Sequence, residues 1–91
     1  MTQEEMTKLV REIGEGKASA TPVRQELLIL GQMARQIEPQ MGTEGRPTFA
    51  ELIAAWGQMA KGGDGDARKI LESLKDHPKQ GSAATGWLAQ L

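Results

Sequence analysis

The sequence contains no cysteine and no tyrosine, and its only aromatic residues are Phe49, Trp56 and Trp87. The absence of cysteine excludes disulfide bonds, zinc sites made of thiolates and catalysis by a thiol nucleophile. So few aromatic side chains predict a small core, which five adaptable methionines help to fill. The 91 residues predict one domain with a thin stability margin, of a kind that often gains stability from a partner or a second copy.

The sequence also lacks an excess of charge of one sign. Its 11 basic and 12 acidic residues leave a formal net charge of −1. Residues 1–47 carry six basic and seven acidic groups, and residues 48–91 carry five of each. Proteins that bind nucleic acid usually carry a basic excess, because neutralising phosphates supplies most of the non-specific affinity. The balance of charge therefore disfavours nucleic acid as a partner but leaves it as an alternative.

No apolar run is long enough to cross a bilayer. The longest run of large apolar side chains, residues 27–30, has four residues, against the roughly 20 that a spanning helix needs. Residues 1–5 are polar and acidic, unlike a secretory signal, which has a basic start and an apolar segment. These features predict a soluble, cytoplasmic protein with no membrane partner.

Two capping boxes are the clearest local signals of structure. Thr2 with Glu5, and Thr48 with Glu51, have the spacing in which a threonine oxygen and a glutamate satisfy the first N–H groups of a helix. Apolar residues follow each box at the period of a helix with one buried face. The sequence predicts an all-α fold, a compact bundle of four helices at about residues 2–14, 21–38, 48–61 and 66–76.

The second predicted helix begins at the pair Thr21-Pro22 and stops before Pro39. Its apolar residues cover more than one stripe, which is typical of a helix that is buried on several sides. We therefore expect this helix to lie at the centre of the bundle. The residues that widen its apolar surface are Leu28, Ile29 and Met33.

The C-terminal part of the sequence divides after the fourth helix. Asp66, with Asp64 as a second choice, is predicted to cap that helix. Residues 1–78 are predicted to form the helical bundle domain and residues 79–91 a C-terminal tail. The tail is small and polar until Trp87. We expect it either to dock on the bundle, with a short fifth helix, or to bind a partner.

A five-residue segment occurs twice with one conservative change. Residues 31–35 and residues 57–61 share Gly-Gln-Met-Ala followed by a basic residue, at an offset of 26. A glycine inside a helix costs about 1 kcal/mol relative to alanine, which a close approach of two helices would justify. The sequence predicts that the second and third helices form an antiparallel hairpin crossing at Gly31 and Gly57.

Three fragments resemble sites of known chemistry, and each departs from the required pattern. Residues 14–19 lack the first glycine of a phosphate-binding loop and the hydroxyl that follows its lysine. Residues 64–66 resemble the start of a calcium loop, but Arg68 and Lys69 stand where a ligand and a glycine are needed. His77, the single histidine, is expected to bind carbonyls or solvent at a helix end. The sequence therefore predicts a non-catalytic protein without a metal or cofactor.

Surplus apolar residues lead to the main functional prediction. Trp87 is of a residue type enriched in binding hot spots, and Trp-Leu-x-x-Leu at the chain end could dock in a groove as a short helix. The competing expectation is that Trp87 folds back onto helices one and two. The sequence predicts a small adaptor, inhibitor or assembly subunit that binds another protein or a second copy of itself. An accessory protein of a phage or mobile element would have this character. The candidate partner-binding residues are Leu28, Ile29, Met33, Trp87, Leu88 and Leu91.

The alternative prediction is a DNA-binding regulator that uses residues 48–79. Two helices joined by a glycine-rich turn can imitate a helix-turn-helix. Acidic residues interrupt the basic surface of this region, which favours a solvated helix with ion pairs over a phosphate-binding one. The candidate nucleic-acid contacts are Arg68, Lys69, Lys75 and Lys79.

Overall fold

A computed structural model describes all residues, 1–91, and contains helices, turns and connecting segments but no strand. The prediction of an all-α fold is confirmed. Six helices are present where four and a possible short fifth at the C-terminus were predicted, because the second predicted helix is interrupted. The six α-helices are α1 (Gln3–Gly14), α2 (Arg24–Gln32), α3 (Ala34–Ile37), α4 (Phe49–Lys61), α5 (Gly65–Ser73) and α6 (Gly81–Leu88), with single 3₁₀ turns at Thr21–Val23 and Glu38–Gln40.

Both capping boxes form as the sequence predicts. The hydroxyl of Thr2 accepts the N–H of Glu5 at 3.1 Å, and the Glu5 carboxylate accepts the N–H of Thr2 at 2.9 Å. Thr48 and Glu51 make the same two hydrogen bonds at the start of α4, at 3.1 and 2.9 Å. Each box satisfies N–H groups that have no partner within the helix, so α1 and α4 begin where the sequence indicates.

The second predicted helix is divided at Met33, where φ is −104° and ψ is 8°. An uninterrupted helix of residues 21–38 would be about 27 Å long, whereas the whole molecule measures 32 × 27 × 19 Å. The break lets the chain follow the surface of the core, so that Leu27 and Ala34 are buried on either side of it.

The centre of the bundle is α4, so the expectation that the second helix is central is wrong. α4 packs against α1, α5 and α6, and it buries more of its residues than any other helix. Trp56 is fully buried and donates its indole N–H to the carbonyl of Leu27 at 2.8 Å, which ties α4 to α2. The buried residues of α4 are Phe49, Leu52, Ile53, Ala55, Trp56, Gly57, Met59 and Ala60.

Side chains of the first half of the chain contact residues about 40 positions later. Because the numbers of the two partners rise together, α1 runs in the same direction as the adjacent α4, and α2 in the same direction as α5. The predicted crossing of the second and third helices at Gly31 and Gly57 is wrong, because Gly31 lies against Ile70 and Gly57 against Trp87. The pairs are Arg11–Glu51, Arg24–Asp64, Arg35–Asp76 and Glu38–His77, separated by 40, 40, 41 and 39 residues.

The two repeated glycines make room for different neighbours. A Cβ at Gly31 would overlap the side chain of Ile70 in α5, and a Cβ at Gly57 would overlap the ring of Trp87 in α6. Each glycine therefore allows a close approach, as expected, but the two glycines do not face each other. Trp87 packs on α4, not on the first two helices.

Asp64 caps α5, and the first choice of Asp66 is wrong. The Asp64 carboxylate accepts the N–H groups of Asp66 and Ala67 at 3.1 and 3.3 Å, so the helix begins at Gly65. The same carboxylate accepts a hydrogen bond from Nε of Arg24 at 2.7 Å. One side chain therefore starts α5 and joins it to the first residue of α2.

His77 is buried between the end of α5 and the start of α6. Its Nδ1 accepts the backbone N–H groups of Lys79 and Gln80 at 3.1 and 3.0 Å, and its Nε2 lies 2.8 Å from a carboxylate oxygen of Glu38. The ring of Phe49 meets it edge to face, with centroids 5.1 Å apart. The expectation that His77 binds carbonyls or solvent at a helix end is wrong. Its side chain instead holds the segment that leads into α6.

Candidate functional site

The six residues predicted to bind a partner differ in exposure. Leu28 is 7% exposed and belongs to the core. Trp87 and Leu88 are half-buried and pack against the core. The remaining three are exposed, namely Ile29 at 45%, Met33 at 41% and Leu91 at 43%. Only the outer face of α2, with Ile29 and Met33 one turn apart, presents two of these side chains together.

An apolar groove lies beside Ile29, between α1, α2 and the segment that follows α3. Two adjoining cavities of about 510 and 620 Å³ form it, and both are lined by Met1, Met6 and Leu30. We name this surface the methionine groove. Its defining residues are Met1, Met6, Ile29, Leu30, Ile37 and Met41.

Four of the five methionines of the chain lie at or beside this groove. Met1, Met6 and Met41 line it, and Met33 follows α2 one turn after Ile29. The fifth, Met59, is 7% exposed within α4. Unbranched, polarisable methionine side chains adapt to differently shaped neighbours and are common at binding surfaces. The groove can therefore adjust to the shape of an apolar ligand.

Hydrogen bonds from α1 hold the loop that forms one wall of the methionine groove. The hydroxyl of Thr7 donates to the carbonyl of Gly45 at 2.7 Å, and the side-chain amide of Gln3 donates to the carbonyl of Glu44. Arg46, in the same loop, donates to the Glu44 carboxylate at 3.2 Å. These bonds fix the loop on the bundle, so the groove is formed before any ligand arrives.

The charged side chains that line the groove differ in whether they form an ion pair. Glu26 lines the cavity beside α2, is exposed, and takes part in no ion pair. The one basic side chain of the lining, Arg46, is already paired with Glu44 at 3.2 Å. Glu26 is therefore the one charged side chain of the lining that has no ion-pair partner.

Two further glutamates lie on α1, and neither lines the groove. Glu5 and Glu12 are one helical turn before and after Leu9, which packs against the core. The hydrogen bond from the backbone N–H of Thr2 keeps the pKa of Glu5 below its ordinary value. Glu5 is therefore a permanent negative charge at neutral pH.

The four candidate nucleic-acid contacts lie on α5 and in the turns after it. Arg68 is 3.7 Å from Glu72, one turn later on the same helix. Acidic side chains at positions 66, 72 and 76 alternate with the basic ones. The three contacts that take part in no ion pair, all of them exposed, are Lys69, Lys75 and Lys79.

A separate, polar cavity of about 380 Å³ lies beside the loop that joins α1 to α2. The hydrogen bond from Arg24 holds the pKa of Asp64, at its edge, below the ordinary value, against the opposing effect of burial. The hydroxyl of Ser19 donates to that of Thr21 at 2.9 Å within the loop. No buried side-chain nitrogen or oxygen lacks a hydrogen-bond partner anywhere in the chain, so no buried polar group faces this cavity without a partner.

No three histidine, aspartate or glutamate side chains converge as they would to hold a metal ion. None of the helices combines the length and apolar character that crossing a bilayer requires. Comparisons with protein-family models, curated proteins and solved structures find no match to this chain. Its function therefore has to be inferred from its own surfaces.

Sequence reasoning missed most of the methionine groove. Helical periodicity places Met6, Leu30 and Ile37 on buried stripes, and they are in fact half-buried. Met1 and Met41 lie outside the predicted helices and carried no prediction. The one signal in the sequence was the high share of methionine in a chain with so few aromatic residues.

Proposed function

We propose that this protein is a non-catalytic protein–protein interaction module that binds its partner through the methionine groove. It would act in the cytoplasm as an adaptor, inhibitor or assembly subunit. The observation that supports this function is the continuity between exposed apolar side chains, Ile29 and Met33, and a preformed apolar groove. Contiguous exposed apolar surface marks interaction sites in soluble proteins, whereas single exposed apolar residues do not.

The rim of the groove retains apolar surface that a partner could cover. Burying a whole isoleucine or methionine side chain is worth about 1.5–3 kcal/mol. Ile29 and Met33 are a little under half exposed, so each leaves roughly 1 kcal/mol to be gained on binding. Two anchors of this size, with a groove beside them, suit a specific contact in which a few residues carry most of the energy.

The C-terminal residues are less suited to be the main contact. Trp87 and Leu88 already pack against the core, and Trp87 fills the space above Gly57. A partner that used Trp87 would first have to detach α6 from α4. Leu91 is exposed, so a substitution there tests binding by the C-terminal residues separately from binding by the methionine groove.

The test compares substitutions that are matched in exposure. The double variant Ile29→Gln/Met33→Gln alters the rim of the groove, and Leu91→Gln alters an equally exposed apolar residue elsewhere. Each tagged protein is used to capture partners from a nuclease-treated extract of cells that encode it, and the captured partner is then purified and its binding titrated. We expect the double variant to lose the partner and Leu91→Gln to keep it. Loss with Leu91→Gln alone would place the interaction on the C-terminal residues.

A second candidate function, DNA binding by residues 48–79, is supported by the unpaired Lys69, Lys75 and Lys79. Anisotropy of a labelled DNA duplex at low and moderate salt tests it, because phosphate contacts weaken steeply with salt. Affinity that falls with salt and is reduced by Lys69→Gln/Lys75→Gln would favour this function. Affinity that is unchanged by substitution of Arg68 and Lys69 would exclude these contacts.

A further inference from the structure

The last helix, α6, is held on the bundle by apolar packing and by few polar contacts. Ala84 is fully buried, and the ring of Trp87 fills the space above Gly57. Residues 81–91 include no charged side chain, and none of their side chains makes a hydrogen bond or an ion pair. The helix has eight residues, two of them glycine, which is too short to persist without its packing on the bundle.

His77 makes the one side-chain hydrogen-bonding contact to the segment that enters α6. Its Nδ1 accepts the backbone N–H groups of Lys79 and Gln80 at 3.1 and 3.0 Å. Gln80, the residue before the helix, makes no capping bond with its own side chain. The histidine therefore holds the turn before α6 as a capping side chain would, by satisfying N–H groups that have no partner within the helix.

A second proton on the imidazole ring is incompatible with this arrangement. In the neutral ring one nitrogen accepts and the other donates, whereas in the imidazolium both nitrogens are donors. A proton on Nδ1 would point at the two N–H groups that now bind it, so both hydrogen bonds are lost. The positive charge would also lie at the start of α6, where the helix dipole disfavours a cation.

Glu38 gives the charged ring a contact that it can keep. The carboxylate of Glu38 lies 2.8 Å from Nε2 of His77. The imidazolium can retain this contact as an ion pair, which is a stronger interaction than a neutral hydrogen bond. The neutral histidine therefore joins the segment after α3 to the entry of α6, and the charged histidine is bound to the segment after α3 alone.

The other groups around His77 are uncharged, paired or exposed. Phe49, which meets the ring from α4, is uncharged. Asp76, the preceding residue, pairs with Arg35 of α3 at 2.7 Å. Of the ionisable types present, histidine is the one that ordinarily takes up a proton between about pH 8 and pH 5. The exposed lysines of the same segment are Lys75 and Lys79.

We propose that His77 is a pH-sensitive switch, which holds α6 on the bundle when neutral and releases it when protonated. Release of the helix exposes Trp87 and Leu88, which now pack against the core. Tryptophan is the residue type most enriched in binding hot spots, together with tyrosine and arginine. Mild acid thus gives the protein a second apolar surface, separate from the methionine groove and not dependent on it.

NMR spectra of the full chain between about pH 7.5 and pH 5 provide the test. The nitrogen shifts of the imidazole ring follow protonation, and hydrogen exchange, relative to the intrinsic rate at each pH, follows the opening of each helix. We expect the protection of the amides of residues 84–88 to fall about tenfold as the ring takes up its proton, because two hydrogen bonds are lost. The amides of α1, which packs on α4, should keep their protection.

Two variants separate His77 from the groups around it. His77→Asn places an amide oxygen near the position of Nδ1, so the backbone N–H groups keep an acceptor that does not titrate. Protection of α6 in this variant should be equal at both pH values. Glu38→Gln removes the carboxylate but keeps an oxygen that accepts from Nε2, and acid should still release α6. Each variant is compared with itself at the two pH values, so a change in overall stability does not affect the result.

Three results would overturn the proposal. The first is a ring that takes up its proton, or stays neutral to about pH 5, while the protection of α6 is unchanged. The second is a fall in protection that persists in His77→Asn or disappears in Glu38→Gln, since either would assign the effect of acid to another group. The third is an equal loss of protection in α1, which would show that the whole bundle opens and not α6 alone.

Discussion

The indole ring of Trp87 occupies the space that a side chain at position 57 would need, so the packing of α6 on α4 depends on Gly57. The glycine has helical neighbours on both sides and would ordinarily be replaced by alanine with a gain in helix stability. Its lack of a Cβ is therefore a requirement of tertiary packing, not of backbone conformation.

Gly57→Ala is expected to lower the free energy of unfolding by about 1–3 kcal/mol, because the new methyl group displaces Trp87. Thermal unfolding measures the loss, and a red shift of the tryptophan emission reports that Trp87 has become more exposed. Gly86→Ala is the matched control, since a Cβ there meets open space; it should stabilise the protein by up to about 1 kcal/mol. Equal stability of Gly57→Ala and the unchanged protein would contradict this packing.

Leu28 and Ile29 are neighbours on α2 with opposite environments, at 7% and 45% exposure. Leu28→Gln should cost about 2–4 kcal/mol, because it removes core packing and buries an amide. Ile29→Gln should change the free energy of unfolding by no more than about 0.5 kcal/mol. Urea denaturation of the two variants measures the difference. Similar costs for both would mean that the outer face of α2 is not free for a partner.

Asp64 should make stability depend on acid pH. The hydrogen bond from Arg24 is the largest cause of its lowered pKa, and burial acts in the opposite direction. Because the folded pKa lies below the unfolded one, the charged carboxylate stabilises the protein above the ordinary pKa of aspartate, and this is lost as the pH falls through the lowered pKa.

Asp64→Asn keeps a capping side chain but removes the charge. It should lower the free energy of unfolding by roughly 0.5 kcal/mol at pH 7, a small value because solvent screens the half-exposed Arg24, and by almost nothing near pH 2. Urea titrations at several pH values measure this. Asp76→Asn, whose side chain is 85% exposed beside Arg35, is the control and should show little effect. A difference that stays constant with pH would refute the role of the ion pair.

His77 should carry its proton on Nε2 in neutral solution, because Nδ1 accepts two backbone N–H groups. The nitrogen chemical shifts of the imidazole ring distinguish the tautomers directly. His77→Phe leaves those two N–H groups without their acceptor and should cost about 1–3 kcal/mol. It should also speed hydrogen exchange at Lys79 and Gln80. A proton found on Nδ1 would contradict the arrangement at the start of α6.

Interactions between residues close in the sequence could be predicted from it, and contacts between distant residues could not. The capping boxes of α1 and α4 involve residues three apart, so their spacing was enough to place both helix starts. The break at Met33 has no local signal, because helical periodicity continues through it. It results from the need of α2 and α3 to follow a small core.

Gly31, Gly57 and the methionine groove also show that local features could be predicted and distant contacts could not. Gly31 and Gly57 indicated close approach, but a missing Cβ does not say which element fills the space, which is occupied by Ile70 at one glycine and by Trp87 at the other. The methionine groove joins the start of α1, the outer side of α2 and the segment after α3. Periodicity within any one helix cannot predict that convergence.

The spacing of about 40 residues between contacting side chains affects when the chain can fold during its synthesis. When α1, α2 and α3 leave the ribosome, the residues that they will contact have not yet been made. Arg11 can pair with Glu51, and Glu38 with His77, only after the second residue of each pair has been synthesised. Contacts so far apart in sequence raise the contact order of a small helical protein and slow its folding. The contacts of the first half are therefore completed, and the fold with its methionine groove is formed, only after the residues of the second half have been made.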